Sequence, residues 1–384
     1  MKKLYWRPSR VSWQVYVLIA LLAVAGMTAV EIFKKRVEQP YYRQKIRAAR
    51  IMQSGMDVIR EYRTTKLRKI APIDPEVDPT NSGMIGLLIS PITSNAGLLE
   101  AKQTTVNPNW AAVVVDMLGR AGVKRGDLVG MSLSGSFPGL NLAAYAAAES
   151  LNLKVVAITS VASSTWGANI PWLTWLDMER ILNESRVLTN RSIAASFGGQ
   201  SDRAMGMRRE GKDMLKTAIE RNKVRLISVK DEEENLDLRM SIYQECAEER
   251  PYAAFVNVGG GTVSVGTQVG KRFFRPGLNL HPPARALAID SVMTRFAKEG
   301  VPVLHMRLVR KLAEEYGLPL EPLATQTVGQ GVIFMKMKYR EDLVAGMLAA
   351  LILLLYAFIK MDIGYRVFSP MRKPADHKPP EPMI

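Results

Sequence analysis

A mostly parallel, Rossmann-like α/β sheet with helices on both faces, flanked by one transmembrane helix at each end, is the fold class predicted by this 384-residue sequence. Three observations predict it. Short apolar runs that do not alternate with polar residues recur along the middle of the chain, helical patterns separate them, and an uncharged stretch lies near each end. Strands that are apolar at every position are buried on both faces, as in a parallel sheet covered by helices.

The elements follow in chain order. Residues 1–10 are a basic tail. Residues 11–30 carry no charge between Arg10 and Glu31. Twenty residues at ~1.5 Å each reach about 30 Å, the depth of a bilayer core, so a transmembrane helix is expected over 11–33. A cleavable signal peptide fits poorly, because Glu31-Ile-Phe-Lys-Lys-Arg stands where small residues belong. Residues 34–82 read as a juxtamembrane helix (41–68, apolar at Ile46, Met52, Met56, Ile59 and Tyr62) followed by a linker, Ala71-Pro-Ile-Asp-Pro-Glu-Val-Asp-Pro, through which no helix can run.

The α/β domain is expected over 83–340. Its strands are Met84–Ser90, Asp127–Met131, Lys154–Thr159, Val224–Val229, Tyr252–Val258 and a closing Val332–Lys338. Its helices are Asn109–Ala121 (capped by Asn107 or Asn109, stopped by Gly122), Phe137–Leu151, Trp175–Val187, Met207–Asn222, Asp231–Glu249, Ala288–Gly300 and Arg307–Tyr316. A second span is expected over 341–360, uncharged from Leu343 to Ile359. The tail 361–384 holds five prolines after Ser369 and no apolar period, the composition of disorder.

The formal charge is +16, and +9 of it falls within the first 50 residues, around the first span. Anionic membrane lipid is the partner this implies, with an anionic polymer as the alternative. A short basic tail before an apolar run favours cytoplasmic termini, two spans in the cell membrane and an extracytoplasmic domain, while Lys34, Lys35, Arg36, Arg43, Lys45, Arg47 and Arg50 after the span argue for the opposite orientation. Cys246 is the one cysteine, and the histidines are His281, His305 and His377. No disulfide, metal, cofactor or nucleic acid is therefore expected.

Three stretches carry candidate chemistry. The loop Ser132-Leu-Ser-Gly-Ser-Phe lies between a strand and a helix, where unpaired N–H groups, the helix dipole and the hydroxyls of Ser132, Ser134 and Ser136 beside Gly135 suit an anion. It is similar to the S-x-S-G-x-[ST] loop of sugar isomerase domains, with Phe137 in the last place. An ordinary turn with serine caps is the alternative. A nucleophile elbow, G-x-S-x-G, is broken by Ser134. The second stretch, Asn257-Val-Gly259-Gly260-Gly261-Thr262, follows a strand and lets backbone approach an anion. It resembles the D-x-G-G-G-T loop of actin-like ATPases, but Asn257 replaces the acidic residue. The third, Ser163 to Glu179, places Trp166, Asn169, Trp172, Trp175 and Asp177 on the same rim, or else packs the tryptophans as anchors.

Together with Ile92-Thr through Leu99-Glu-Ala-Lys, Leu133-Ser-Gly-Ser-Phe-Pro, Trp166-Gly-Ala-Asn, Thr174-Trp-Leu-Asp-Met-Glu, Val256-Asn-Val-Gly-Gly-Gly and Arg275-Pro-Gly-Leu-Asn, the chain resembles the poly-gamma-glutamate system protein family over residues 70–285. The resemblance implies an accessory role in biosynthesis or export of that anionic capsule polymer, with synthesis and export subunits as partners. It implies no catalytic residue. The expected ligand contacts are Ser132, Ser134, Gly135, Ser136, Trp166, Asn169, Asn257, Gly259, Gly260, Gly261 and Thr262. The alternative is an amide hydrolase or transferase using Ser134 or Ser132 with His281 or Asp177.

Overall fold

A computed structural model describes residues 13–266 and 270–360. The basic tail 1–10 and the tail 361–384 lie outside the described residues. The chain divides into two units, residues 38–335 and the two ends outside that range.

The larger unit is built on a seven-stranded sheet. Its strands are β1 (Leu128–Ser134), β2 (Lys154–Ser160), β3 (Ser192–Ser196), β4 (Arg225–Ile227), β5 (Tyr252–Val258), β6 (Gly277–Asn279) and β7 (Val303–Met306). Their order is β4-β3-β2-β1-β5-β7-β6. Every pairing is parallel except that of β6 with β7. The chain runs outward from β1 through β2 and β3 to β4, then returns to lay β5 on the other side of β1. The order reverses between β1 and β5, and at such a switch point the loops leaving the two strands diverge and open a crevice.

Both faces are covered, as the continuous apolar strands require. On one face Val129, Met131 and Leu133 of β1 and Val256 of β5 pack under α2 (Tyr42–Lys66), α4 (Trp110–Arg120), α5 (Pro138–Leu151), α6 (Trp175–Glu184) and α10 (Val309–Tyr316). On the other, Leu128, Ile158 and Phe255 pack under α8 (Glu232–Ala247) and α9 (Val292–Lys298). A third cluster seats α7 (Arg209–Arg221) through Leu215 and Ile219. The helix starts follow local chemistry. Pro138 opens α5, Asp231 accepts from the Glu234 N–H at α8, and Thr174 forms a capping box with Asp177 at α6. Asn109 is the N-cap residue of α4 but makes no side-chain cap bond; its own N–H goes to Asn107 Oδ1.

Several expectations are corrected. Helix α2, expected to lead to the domain, is part of its core: Ala48, Ala49, Met52, Met56 and Ile59 are fully or almost fully buried there. The proline-rich segment after it is fastened, with Arg63 donating to the carbonyls of Ala71, Pro72, Gly83 and Ile85. Asp78 accepts from Thr80, Ser82 and Gly83. Met84–Ser90 is not a strand. Its backbone bonds go to the Trp166 loop and to Asn169, so the apolar run is a loop with no ladder, buried at Met84 and Ile85 and exposed at Leu88 and Ile89. Strands β3, β6 and β7 were not anticipated. The closing strand is Met335–Lys338, and it pairs with Lys35–Glu38 outside the main sheet.

The terminal unit holds α1 (Trp13–Ile32) and α11 (Glu341–Lys360), each a 20-residue helix. A Cβ on Gly26 would come within 2.8 Å of Met347 Sδ, so the glycine lets the two helices approach. Their outward faces leave Leu21, Val24, Met27, Ile352, Leu353 and Tyr356 exposed. Among the residues whose side chains are described, no helix is long and apolar enough to cross a membrane. Side chains 14–15 of α1 and 358–360 of α11 are outside that set.

Candidate functional site

The carboxyl ends of β1, β2, β3, β5 and β7 converge on one cleft of about 1130 Å³. Its wall includes Ser134, Ser136 and Phe137 after β1, and Ser160, Ala162 and Ser164 from the end of β2. Asp202 comes from the loop after β3, Gly259 to Thr262 follow β5, and Arg307 to Lys311 follow β7. Helix α3 (Leu99–Thr105) closes one side and contributes Glu100 and Lys102. The cleft sits at the switch point between β1 and β5, and the serine and glycine loops are its floor.

Close backbone packing shapes that floor. A Cβ on Gly135 would stand 2.3 Å from the Val161 carbonyl oxygen, and the Gly135 N–H donates to the Ser160 carbonyl at 2.9 Å. Gly135 is thus fixed by the neighbouring strand. Gly259 has φ +89°, and its absent Cβ would lie 3.2 Å from Ser134 Cβ, so the two loops touch. Asn141 of α5 donates to the Ser134 carbonyl at 2.9 Å and ties the serine loop to its helix. The Ser134 hydroxyl accepts the Ser136 N–H at 3.2 Å, and the Ser136 hydroxyl accepts the Ser164 N–H at 3.0 Å.

Lys102 is the residue that sequence reasoning passed over. It is 2% exposed, and its ammonium nitrogen is 2.9 Å from Ser164 Oγ and 3.8 Å from the centre of the Phe137 ring, while also donating to the Ser136 carbonyl. No carboxylate pairs with it among the described residues. Burial pushes its pKa down to about 7, because removal from water penalises the charged form. Its one trace in the sequence is the Leu99-Glu-Ala-Lys stretch.

The remaining charges are mixed. Arg310 pairs with Glu321 at 2.8 Å. Asp202 accepts from Ser160 Oγ at 2.6 Å and from the buried Arg239 at 2.7 Å. Lys102, Arg307, Arg310 and Lys311 face Glu100, Asp202, Glu314 and Glu321 around the wall, so the cleft is no uniform basic funnel. Whatever grip it has on an anion is local, in hydroxyls and N–H groups.

Of the expected contacts, Ser134, Ser136, Gly259, Gly260, Gly261 and Thr262 line the cleft, with Gly135 directly beneath. Ser132 is buried and bonded to Ser264. Asn257 is buried behind the glycine loop, bonded to the Gly259 carbonyl and to His305, each at 3.0 Å. Asn169 spends its amide on Leu87 and Thr93, and Trp166 pairs by backbone with Leu87. Neither lines the cleft. Trp175 stacks on Tyr145 in the core, and Trp172 belongs to a separate shallow groove with Arg209 and Arg221. The two helpers named for a serine nucleophile are elsewhere: His281 is exposed and away from the cleft wall, and Asp177 is bound to Thr174, Arg221 and Asn222.

The fold and the cleft together define a parallel α/β protein with a crevice at its topological switch point. No protein-family model matches the chain, and no curated protein does. Among solved structures, an archaeal alanine:glyoxylate aminotransferase aligns over 91% of this chain and 68% of its own at 12% identity. Its TM-score of 0.18 is too low to bear on fold or function.

Proposed function

We propose that the chain is a membrane-anchored accessory protein of poly-gamma-glutamate biosynthesis or export, and that its cleft holds a carboxylate-bearing segment of the polymer. The single observation that supports the reading best is the meeting of the serine and glycine loops at the switch point. There Ser134, Ser136 and the Gly259–Thr262 backbone surround one crevice large enough for a chain end. Helices α1 and α11 are the proposed spans. Each has 20 residues, about 30 Å of helix, and their exposed leucines, valines and methionines suit lipid. Lipid headgroups are the proposed partners of the basic N-terminal region, and the cell membrane the proposed location, with the domain on the outer side.

Calorimetric titration of the detergent-solubilised chain with short γ-glutamyl oligomers tests the reading. Binding is expected, and Ser134→Ala should weaken it by about 1–2 kcal/mol, the worth of one donor to a charged group. Equal affinity for wild type and variant, or none for either, rejects the cleft as the polymer site. Reporter fusions within the domain test its side of the membrane, and a cytoplasmic signal overturns the outward orientation.

A further inference from the structure

We infer that the cleft is also an acyl-transfer site, in which Ser164 is the nucleophile and Lys102 its general base, acting on an amide carbonyl of the chain that the cleft holds. This rests on the cleft being a ligand site, as proposed above, and adds the reaction.

The geometry comes first. Lys102 Nζ stands 2.9 Å from Ser164 Oγ, within the reach needed for proton transfer, and both residues line the cleft. The hydroxyl is kept approachable by Gly97, where a Cβ would come within 2.9 Å of Ser164 Oγ. Ser164 is fixed in turn by its neighbours. Its N–H donates to Ser136 Oγ at 3.0 Å, and residues 163–164 pair in parallel with residues 93–95. No histidine lines the cleft, and Lys102 is the base within reach of the Ser164 hydroxyl, while Asp202 is engaged by Ser160 and Arg239. A lysine serves as a base only when neutral, and burial without a carboxylate partner is the arrangement that removes its proton near neutral pH.

The reaction balances with water as the second substrate. Lys102 Nζ takes the Ser164 proton while Oγ bonds to the carbonyl carbon, giving a tetrahedral oxyanion. The Ser136 carbonyl and the Phe137 ring face stabilise the ammonium thus formed. Collapse breaks the C–N bond, and Lys102 returns the proton to the leaving amine. Water then attacks the acyl ester, its proton passing through Lys102 to Ser164 Oγ as the ester C–O bond breaks and a carboxylic acid leaves. An amine in place of water gives transfer instead of hydrolysis. The Ser136 hydroxyl accepts from Ser164 N–H and has no acceptor of its own among the described residues, so its proton is available to the oxyanion. The charged groups that share the wall are Glu100 beside Lys102 on α3, Asp202, Glu321 and the Arg307–Glu314 stretch. Among the described residues none forms an ion pair with Nζ.

The full chain in detergent, treated with a fluorophosphonate probe and separately with γ-glutamyl-p-nitroanilide, provides the test. The expected results are a phosphonyl adduct on the peptide containing Ser164, with loss of fluoride, and nitroanilide release that rises with pH through about 7. Ser164→Ala and Lys102→Met should each lower release by roughly 10³-fold or more. Lys102→Gln, which keeps a hydrogen-bond donor and discards the base, should do the same while leaving the thermal transition in place. If no adduct forms on Ser164 and Lys102→Met leaves release unchanged, the assignment is overturned. Oligomer binding measured on the same samples then separates the two readings: persistent binding leaves the polymer site standing, and its loss removes both.

Discussion

Lys45 and Lys102 are both almost completely buried in the same domain, and they are handled in opposite ways. Lys45, on α2, reaches Asp116 at 2.7 Å and the Ile333 carbonyl at 3.1 Å, so its charge is matched inside the core. Lys102, on α3, has a hydroxyl, a carbonyl and a ring for company, and no carboxylate among the described residues. The first arrangement fixes a helix to its neighbours. The second leaves an amine whose protonation is easily changed, at the wall of the cleft at the switch point. Burial alone therefore does not separate scaffold from chemistry, whereas the partner does.

The comparison can be broken by substitution. Lys45→Met leaves Asp116 with only the more distant Arg120, at 3.8 Å, and should cost about 3 kcal/mol in chemical denaturation, the low end for removal of one member of a buried pair. Gly135→Ala forces a methyl against the Val161 carbonyl and should cost about 1–3 kcal/mol by the same measurement. Lys102→Met, by contrast, removes an amine that strands no carboxylate, and should not lower stability at pH 7 by more than about 1 kcal/mol. A loss as large as that of Lys45→Met would place Lys102 with the scaffold. The pH dependence separates the two lysines further. The folded pKa of Lys102 lies below the unfolded value, so between about 7 and 10.5 the unfolded chain holds a proton that the folded chain lacks. This group's contribution thus makes stability rise with pH across that window and flattens below it. The difference in unfolding free energy between wild type and Lys102→Met, followed from pH 6 to pH 10, should carry that slope.

Much of the framework was legible because it depends on local pattern. The runs at 127–131, 154–159 and 252–258 are apolar at nearly every position, and each became a central strand. The serine and glycine loops could be placed at the rim because each directly follows such a run. Other features were hidden for physical reasons. Met84–Ser90 is as apolar as a strand, but Asn169 and Arg63 satisfy its backbone from the side, and no periodicity reveals that. Ser192–Ser196 is small and polar at its ends, yet parallel pairing with β2 makes it a strand. Asp177 looked like a catalytic helper and is a helix cap locked to Arg221, a role visible only when α7 is folded against α6. Lys102 lies more than sixty residues before the serine it touches, and nothing in its short helix marks it as buried.

The ribbon of Lys35–Glu38 with Met335–Lys338 has a consequence for biogenesis. It joins segments separated by about 300 residues, and helices α1 and α11 stand just beyond its two ends. During synthesis α1 appears first and its partner near the end, so the helical pair is the last contact to close and the one with the greatest loop-closure cost. Ribosomes stalled before residue 335 should carry an α1 that has no companion while the intervening domain is still being made. A truncation there would deprive the first helix of its mate without removing any residue of the sheet.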